Sequence, residues 1–152
     1  MLGELPLDLP DYRYFKGTDR YSSDVRFSGH SRTSGKIQNI KMVDGYIFIA
    51  YFPGLDGPDT EDSFVNKSPE EAVKFWKRMR KKYLHRLAVF DSVGNRMADT
   101  VLDGLLHGSM VIRNGELWML EKPDEDVEQD YFRLFRVGLK REDVDEGGKF
   151  VD

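Results

Sequence analysis

The chain has three histidines, His30, His85 and His107. An imidazole can carry a proton near neutral pH or hold a metal. A zinc site on one element needs ligands at the spacing H-x-x-x-H or H-E-x-x-H, and these three stand 55 and 22 positions apart, so no metal site and no cofactor is expected. Cysteine is absent, which removes thiolate nucleophiles and disulfides. Carboxylates gather in two runs, Asp56, Asp59, Glu61 and Asp62, then Asp124, Glu125, Asp126, Glu128 and Asp130. Neither has the alternating oxygens and turn-making glycine of a calcium loop, so both read as solvated loops. No G-x-S-x-G, P-loop or G-x-G-x-x-G is present. The polar residues left to line a ligand site are Arg26, His30, Arg32 and His107; His30 and His107 each precede a strand, and their plain reading is ordinary loop histidines. His85 opens a strand and reads as structural.

The strongest local charge lies on a helix. In SPEEAVKFWKRMRKKY (68–83), Ser68 can cap, Pro69 suits the first helical position, and Glu71 closes a capping box. Ala72, Phe75, Trp76, Met79 and Tyr83 share one face, while Lys74, Lys77, Arg78, Lys81 and Lys82 make the rest basic. A solvated face is the ordinary reading of such charge; the sharper one is a docking site for an acidic partner or a phosphate-bearing surface.

The surrounding segments favour strands. IQNIKMV (37–43) and YIFIAYF (46–52) flank Asp44-Gly45, and SMVIR (109–113) and ELWMLEK (116–122) flank Asn114-Gly115. Both dipeptides suit the positive φ angles of a type I′ hairpin turn. RLAVFDS (86–92) and RMADTVL (96–102) form a further hairpin around Val93-Gly94-Asn95, and YFRLFRVGL (131–139) is a last strand. A short strand is expected at 24–27, loops at 29–36 and 53–67, an irregular lead-in over 1–23 and a fraying tail over 140–152.

The net charge of −4 argues against a nucleic-acid partner, and no apolar run reaches the roughly 18–20 residues of a membrane helix. The first fifteen residues lack the basic and apolar regions of a signal peptide, which makes a cytoplasmic location the default.

Residues 40–49 lie over 110–119 at an offset of 70, matching Asp44-Gly45 with Asn114-Gly115 and Phe48 with Trp118. Residues 83–90 lie over 130–137 at an offset of 47. The offset falls because loop and helix interrupt the first copy. The expected domain is a β repeat over 24–139, with unit 1 at about 35–102, unit 2 at about 105–139, and one inserted α-helix at about 68–83.

The run GKIQNIKMVDGYIFIAYF … HRLAVFDSVGNRMAD … SMVIRNGELWML … DYFRLFRVGL resembles the C-terminal blades of TolB-like six-bladed β-propellers. The resemblance implies a mainly β protein of antiparallel, propeller-blade-like sheets. Two units fall short of the about four to eight that close a ring. The chain is then a fragment, which would allow an extracytoplasmic origin, a small β protein, or a protomer that closes a homo-oligomeric ring. The implied function is a non-enzymatic binding or assembly module for a protein or small ligand. The alternative is a propeller-type hydrolase or lyase using Arg26, His30, Arg32 and His107 near the central axis.

Overall fold

The computed structural model describes residues 4–13, 30–124, 127 and 130–139, with the backbone alone for His30 and Ser31. Arg26, the strand expected at 24–27, Glu125, Asp126, Glu128 and the tail 140–152 lie outside the described residues.

The chain is mainly β. Strands β1 (Lys36–Val43), β2 (Tyr46–Phe52), β3 (Arg86–Phe90) and β4 (Arg96–Val101) form one antiparallel sheet in the order β1-β2-β3-β4. Strands β5 (Val111–Arg113), β6 (Glu116–Leu120) and β7 (Leu134–Val137) form a second, in the order β5-β6-β7. A four-residue helix, α1 (His30–Thr33), precedes β1; α2 (Gly57–Phe64) and α3 (Pro69–Lys82) lie between β2 and β3.

The hairpin turns take the backbone their residues favour. Asp44 and Gly45 have φ of 51° and 78°, and Asn114 and Gly115 have 53° and 76°, the left-handed region both centres of a type I′ turn require. Along β1 the register shifts between Ile37, opposite Tyr51, and Asn39, opposite Ala50. The extra residue, Gln38, is why this strand's apolar positions do not alternate cleanly in sequence.

The two sheets pair in matching register. Ile47 faces Phe90 across β2 and β3, and Leu117 faces Val137 across β6 and β7, positions that differ by 70 and by 47. Lys41 opposite Phe48 corresponds in the same way to Val111 opposite Trp118.

Both faces of β2 are buried. Ile47, Ile49 and Tyr51 join Ala88 and Phe90 under Leu7, Leu9 and Tyr12 of the lead-in. Phe48, Ala50, Leu87 and Val89 on the other face meet Leu102, Met110, Leu117 and Met119, so one core joins the sheets. Asn39 stitches them further, its Nδ2 donating to the carbonyl oxygens of Gly108 at 3.1 Å and Met110 at 3.4 Å. Phe48 is buried in this core, whereas Trp118, at the matching position, is only half-buried on the outer side of the second sheet.

Helix α3 has its capping box: Ser68 Oγ accepts from the Glu71 N–H, and Glu71 Oε2 accepts from the Ser68 N–H. The segment 53–67 is not all loop, because α2 starts there with Asp56 as N-cap and a proline in its first turn. It buries no side chain and is held by polar ties to α3. Lys82 Nζ reaches Asp59 at 2.6 Å and Asp56 at 3.2 Å, Tyr83 Oη donates to Asp59 at 2.6 Å, and Arg78 meets Asp62 at 3.3 Å. Beneath both helices lie Leu55, Phe75 and Met79, flanked by Phe52, Trp76 and Tyr83.

Candidate binding pocket

Where α3 leans over the crossing from the first sheet to the second, a pocket of about 410 Å³ opens. That is within the roughly 300–1,000 Å³ of small-molecule sites. Its apolar wall is built by Phe52, Leu55, Trp76, Met79, Leu84, Leu102, Leu105 and Leu106. Its charged lining is Arg32, Lys36, Arg80 and Lys122, and no aspartate or glutamate lines it among the described residues.

Backbone pairing places three of these charges, and Arg80 is carried by α3 itself. The Leu55 N–H donates to Thr33 O at 2.7 Å and the Arg13 N–H to Pro53 O at 2.8 Å, which sets α1 and the start of β1 beside the end of β2. This brings Arg32 and Lys36 to the rim. The approach depends on Gly54, at φ 93°, where a β-carbon would stand 2.8 Å from the Gly35 nitrogen. The Lys122 N–H donates to Gly104 O at 2.8 Å and the Leu106 N–H to Leu120 O at 2.9 Å, so the crossing segment 102–109 lies along β6 and holds His107 inward. The Leu102 N–H donates to His85 O at 2.8 Å, fixing the start of β3 against the same segment.

His85 and His107 therefore meet. Their ring centroids are 3.6 Å apart at an interplanar angle of 31°, and Phe52 lies 5.5 Å from His85. Nδ1 of His107 is buried without a hydrogen-bond partner among the described residues. Burial pushes the His85 imidazole down to about 4, helped by His107 and by the positive charge of Lys122. Burial and then Lys122 also lower His107. Both rings are thus neutral near pH 7. Trp76 has Arg32 over its ring at 5.9 Å and Phe75 edge-on at 5.0 Å.

Of the polar residues picked out in sequence, Arg32 and His107 line this pocket. His30 lies in α1 with its side chain outside the described atoms, and Arg26 lies outside the described residues. Lys36, Arg80, Lys122 and His85, which no sequence motif marks for this role, also line the pocket. The basic face of α3 divides. Arg78 and Lys82 hold α2, while Lys74, Lys77 and Lys81 have no ion-pair partner among the described residues.

A wider cavity of about 590 Å³ opens between the tips of the two hairpins. Its Arg136 is neutralised by Glu116 at 2.9 Å and Asp44 adds a negative charge, so it carries no positive excess. The first pocket alone of the two pairs an apolar wall with charge of one sign. Among the described residues no group of three or more histidine, aspartate or glutamate side chains is placed to hold a metal ion, and no helix is long and apolar enough to cross a membrane. No known protein family, curated protein or solved structure matches this chain.

Proposed function

We propose that the chain is a binding module built from two propeller-type sheet units, and that it takes a small ligand with an apolar body and an anionic group in the pocket beneath α3. One observation carries the ligand class. Arg32, Lys36 and Lys122 border an apolar wall, and no aspartate or glutamate lines the site among the described residues. An apolar body would displace water from Trp76, Met79 and the leucines, while Lys36 and Lys122 would meet its charge.

The blade reading is supported by register and by stacking sense. Leu117 and Met119, which correspond at an offset of 70 to Ile47 and Ile49, turn toward the first sheet, whereas Ile47 and Ile49 turn away from the second. The sheets thus stack head-to-tail, as consecutive blades would.

Calorimetric titration with naphthalene-1-sulfonate and with 1-naphthylmethylammonium, the same ring system with opposite charge, tests the ligand class. The sulfonate should bind and the ammonium should bind at least about tenfold more weakly. Lys36→Glu with Lys122→Glu should weaken the sulfonate by at least about tenfold and flatten its salt dependence. Equal binding of both probes, or a double variant that binds the sulfonate as the parent does, would refute the reading.

A further inference from the structure

We infer that the pocket takes up a proton together with its anionic ligand, and that the stacked pair His85–His107 holds it. The inference rests on the anion-binding reading above and adds its regulation.

The geometry shows why the empty site resists a proton. The imidazoles overlap at 3.6 Å, too close for both to be charged without strong repulsion. Lys122, from the segment after β6, acts on both rings, and the other charged residues of the lining, Arg32 of α1, Lys36 of β1 and Arg80 of α3, have the same sign. Tyr83 is the other titratable group in the lining, and its hydroxyl is committed to Asp59 at 2.6 Å. An imidazolium here would be desolvated, repelled by lysine and given no carboxylate among the described residues to pair with. The depressed imidazole of His85, near 4, agrees with that picture.

An anion in the same space reverses the balance. It supplies the missing negative charge within reach of the rings, so one imidazole becomes worth protonating. The buried Nδ1 of His107, which has no partner among the described residues, is an N–H donor in the protonated ring. By linkage, a site that binds one proton with its ligand gains up to about tenfold in affinity for each pH unit of acidification between the free and bound pKa values. Binding would then be tight in acidic surroundings and loosen as pH rises. Aromatic or aliphatic, the ligand needs only the anion and the apolar body.

Naphthalene-1-sulfonate suits the test, because its sulfonate stays ionised from about pH 4 to about pH 8 and contributes no titration of its own. Calorimetry at one pH in two buffers of different ionisation enthalpy counts the protons taken up. Near pH 5.5 the expected uptake approaches about one proton, and affinity should rise at least about tenfold between about pH 7 and about pH 5. Proton NMR of the imidazoles in the unmodified protein gives a second measure: adding the sulfonate should raise the titration midpoint of His85 or His107. The His85→Phe/His107→Phe variant assigns those signals and should lose the pH slope. Sulfonate binding that is preferred over the ammonium probe but flat in pH, with no proton uptake and unmoved midpoints, overturns the proposal and leaves the anion site standing. A slope that survives in the double variant also overturns it. Failure of the sulfonate to bind, or equal binding of the ammonium probe, removes the anion site itself.

Discussion

Replacing Leu117 with alanine asks whether the two sheets are one cooperative body. Leu117 is 1% exposed and packs in the core that also holds Phe48, Leu87 and Val89 of the first sheet. Truncating a buried leucine costs about 2–5 kcal/mol, the lost transfer free energy plus the cavity left behind. With about 3 kcal/mol and a urea dependence of about 2 kcal/mol per molar, the unfolding midpoint falls by about 1.5 M. The two tryptophans lie in different parts of the fold, Trp76 on α3 above the first sheet and Trp118 on β6 of the second. Trp118→Phe leaves a reporter on the first and Trp76→Phe leaves one on the second. In each background, Leu117→Ala should lower the fluorescence midpoint by the same amount, since one core joins the sheets. If the Trp118 signal shifts while the Trp76 midpoint stays within about 0.2 M, the sheets unfold separately and the shared-core reasoning is wrong.

Ser68→Ala removes one half of the capping box and should cost about 1 kcal/mol in thermal or urea unfolding, leaving the folded circular dichroism spectrum unchanged. Lys82→Glu should lower the melting temperature clearly more than Lys77→Glu, because Lys82 bridges Asp56 and Asp59 of α2 while Lys77 has no ion-pair partner among the described residues. If an acidic partner docks on α3, Lys77→Glu with Lys81→Glu should abolish that salt-sensitive contact without a stability loss. Burial, then Asp99, pushes the Tyr51 hydroxyl up to about 12. An acid whose folded pKa is raised favours folding fully below its unfolded pKa, here near 10, and that contribution disappears as pH rises through about 12. Stability should therefore fall across that interval, and Tyr51→Phe should flatten the fall; an equally steep decline in the variant would exclude Tyr51 as the cause.

Much of the β framework was legible because it is written in local residues. Asp44-Gly45 and Asn114-Gly115 specify their turns without help from the rest of the chain, and Ser68, Pro69 and Glu71 specify the start of α3. Helix α2 was not legible, for a physical reason. GPDTEDSF has one large apolar residue, Phe64, which is 51% exposed, so no hydrophobic period marks the helix. Its support comes from Arg78, Lys82 and Tyr83, 16 to 27 residues away. The pocket was hidden for the same reason. Lys36, Trp76, His85 and Lys122 come from four segments, and no spacing in the chain records that they converge. His85 looked structural as the opening residue of a strand; its role at the pocket wall follows from the Leu102 pairing that lays the crossing segment against it.

The position of the pocket follows from how the two units differ. In the second unit, β6 reaches β7 through 13 residues, 121–133, which carry no described helix. In the first, β2 reaches β3 through 33 residues, 53–85, which hold α2 and α3. Pairing between the sheets does not call for that extra chain, since the same register is reached without it. What the insertion adds is a wall, because Trp76, Met79, Arg80 and Tyr83 of this segment face residues 102–107, where the chain leaves the first sheet for the second. A cavity at such a handover is lined by both units and by the insertion, and so would be lost if either unit were separated. On the two-unit reading proposed above, the binding site is therefore a property of the pair of sheets and their insertion together. A single excised sheet would retain its hairpin turns and lose the charge arrangement on which recognition of the anion depends.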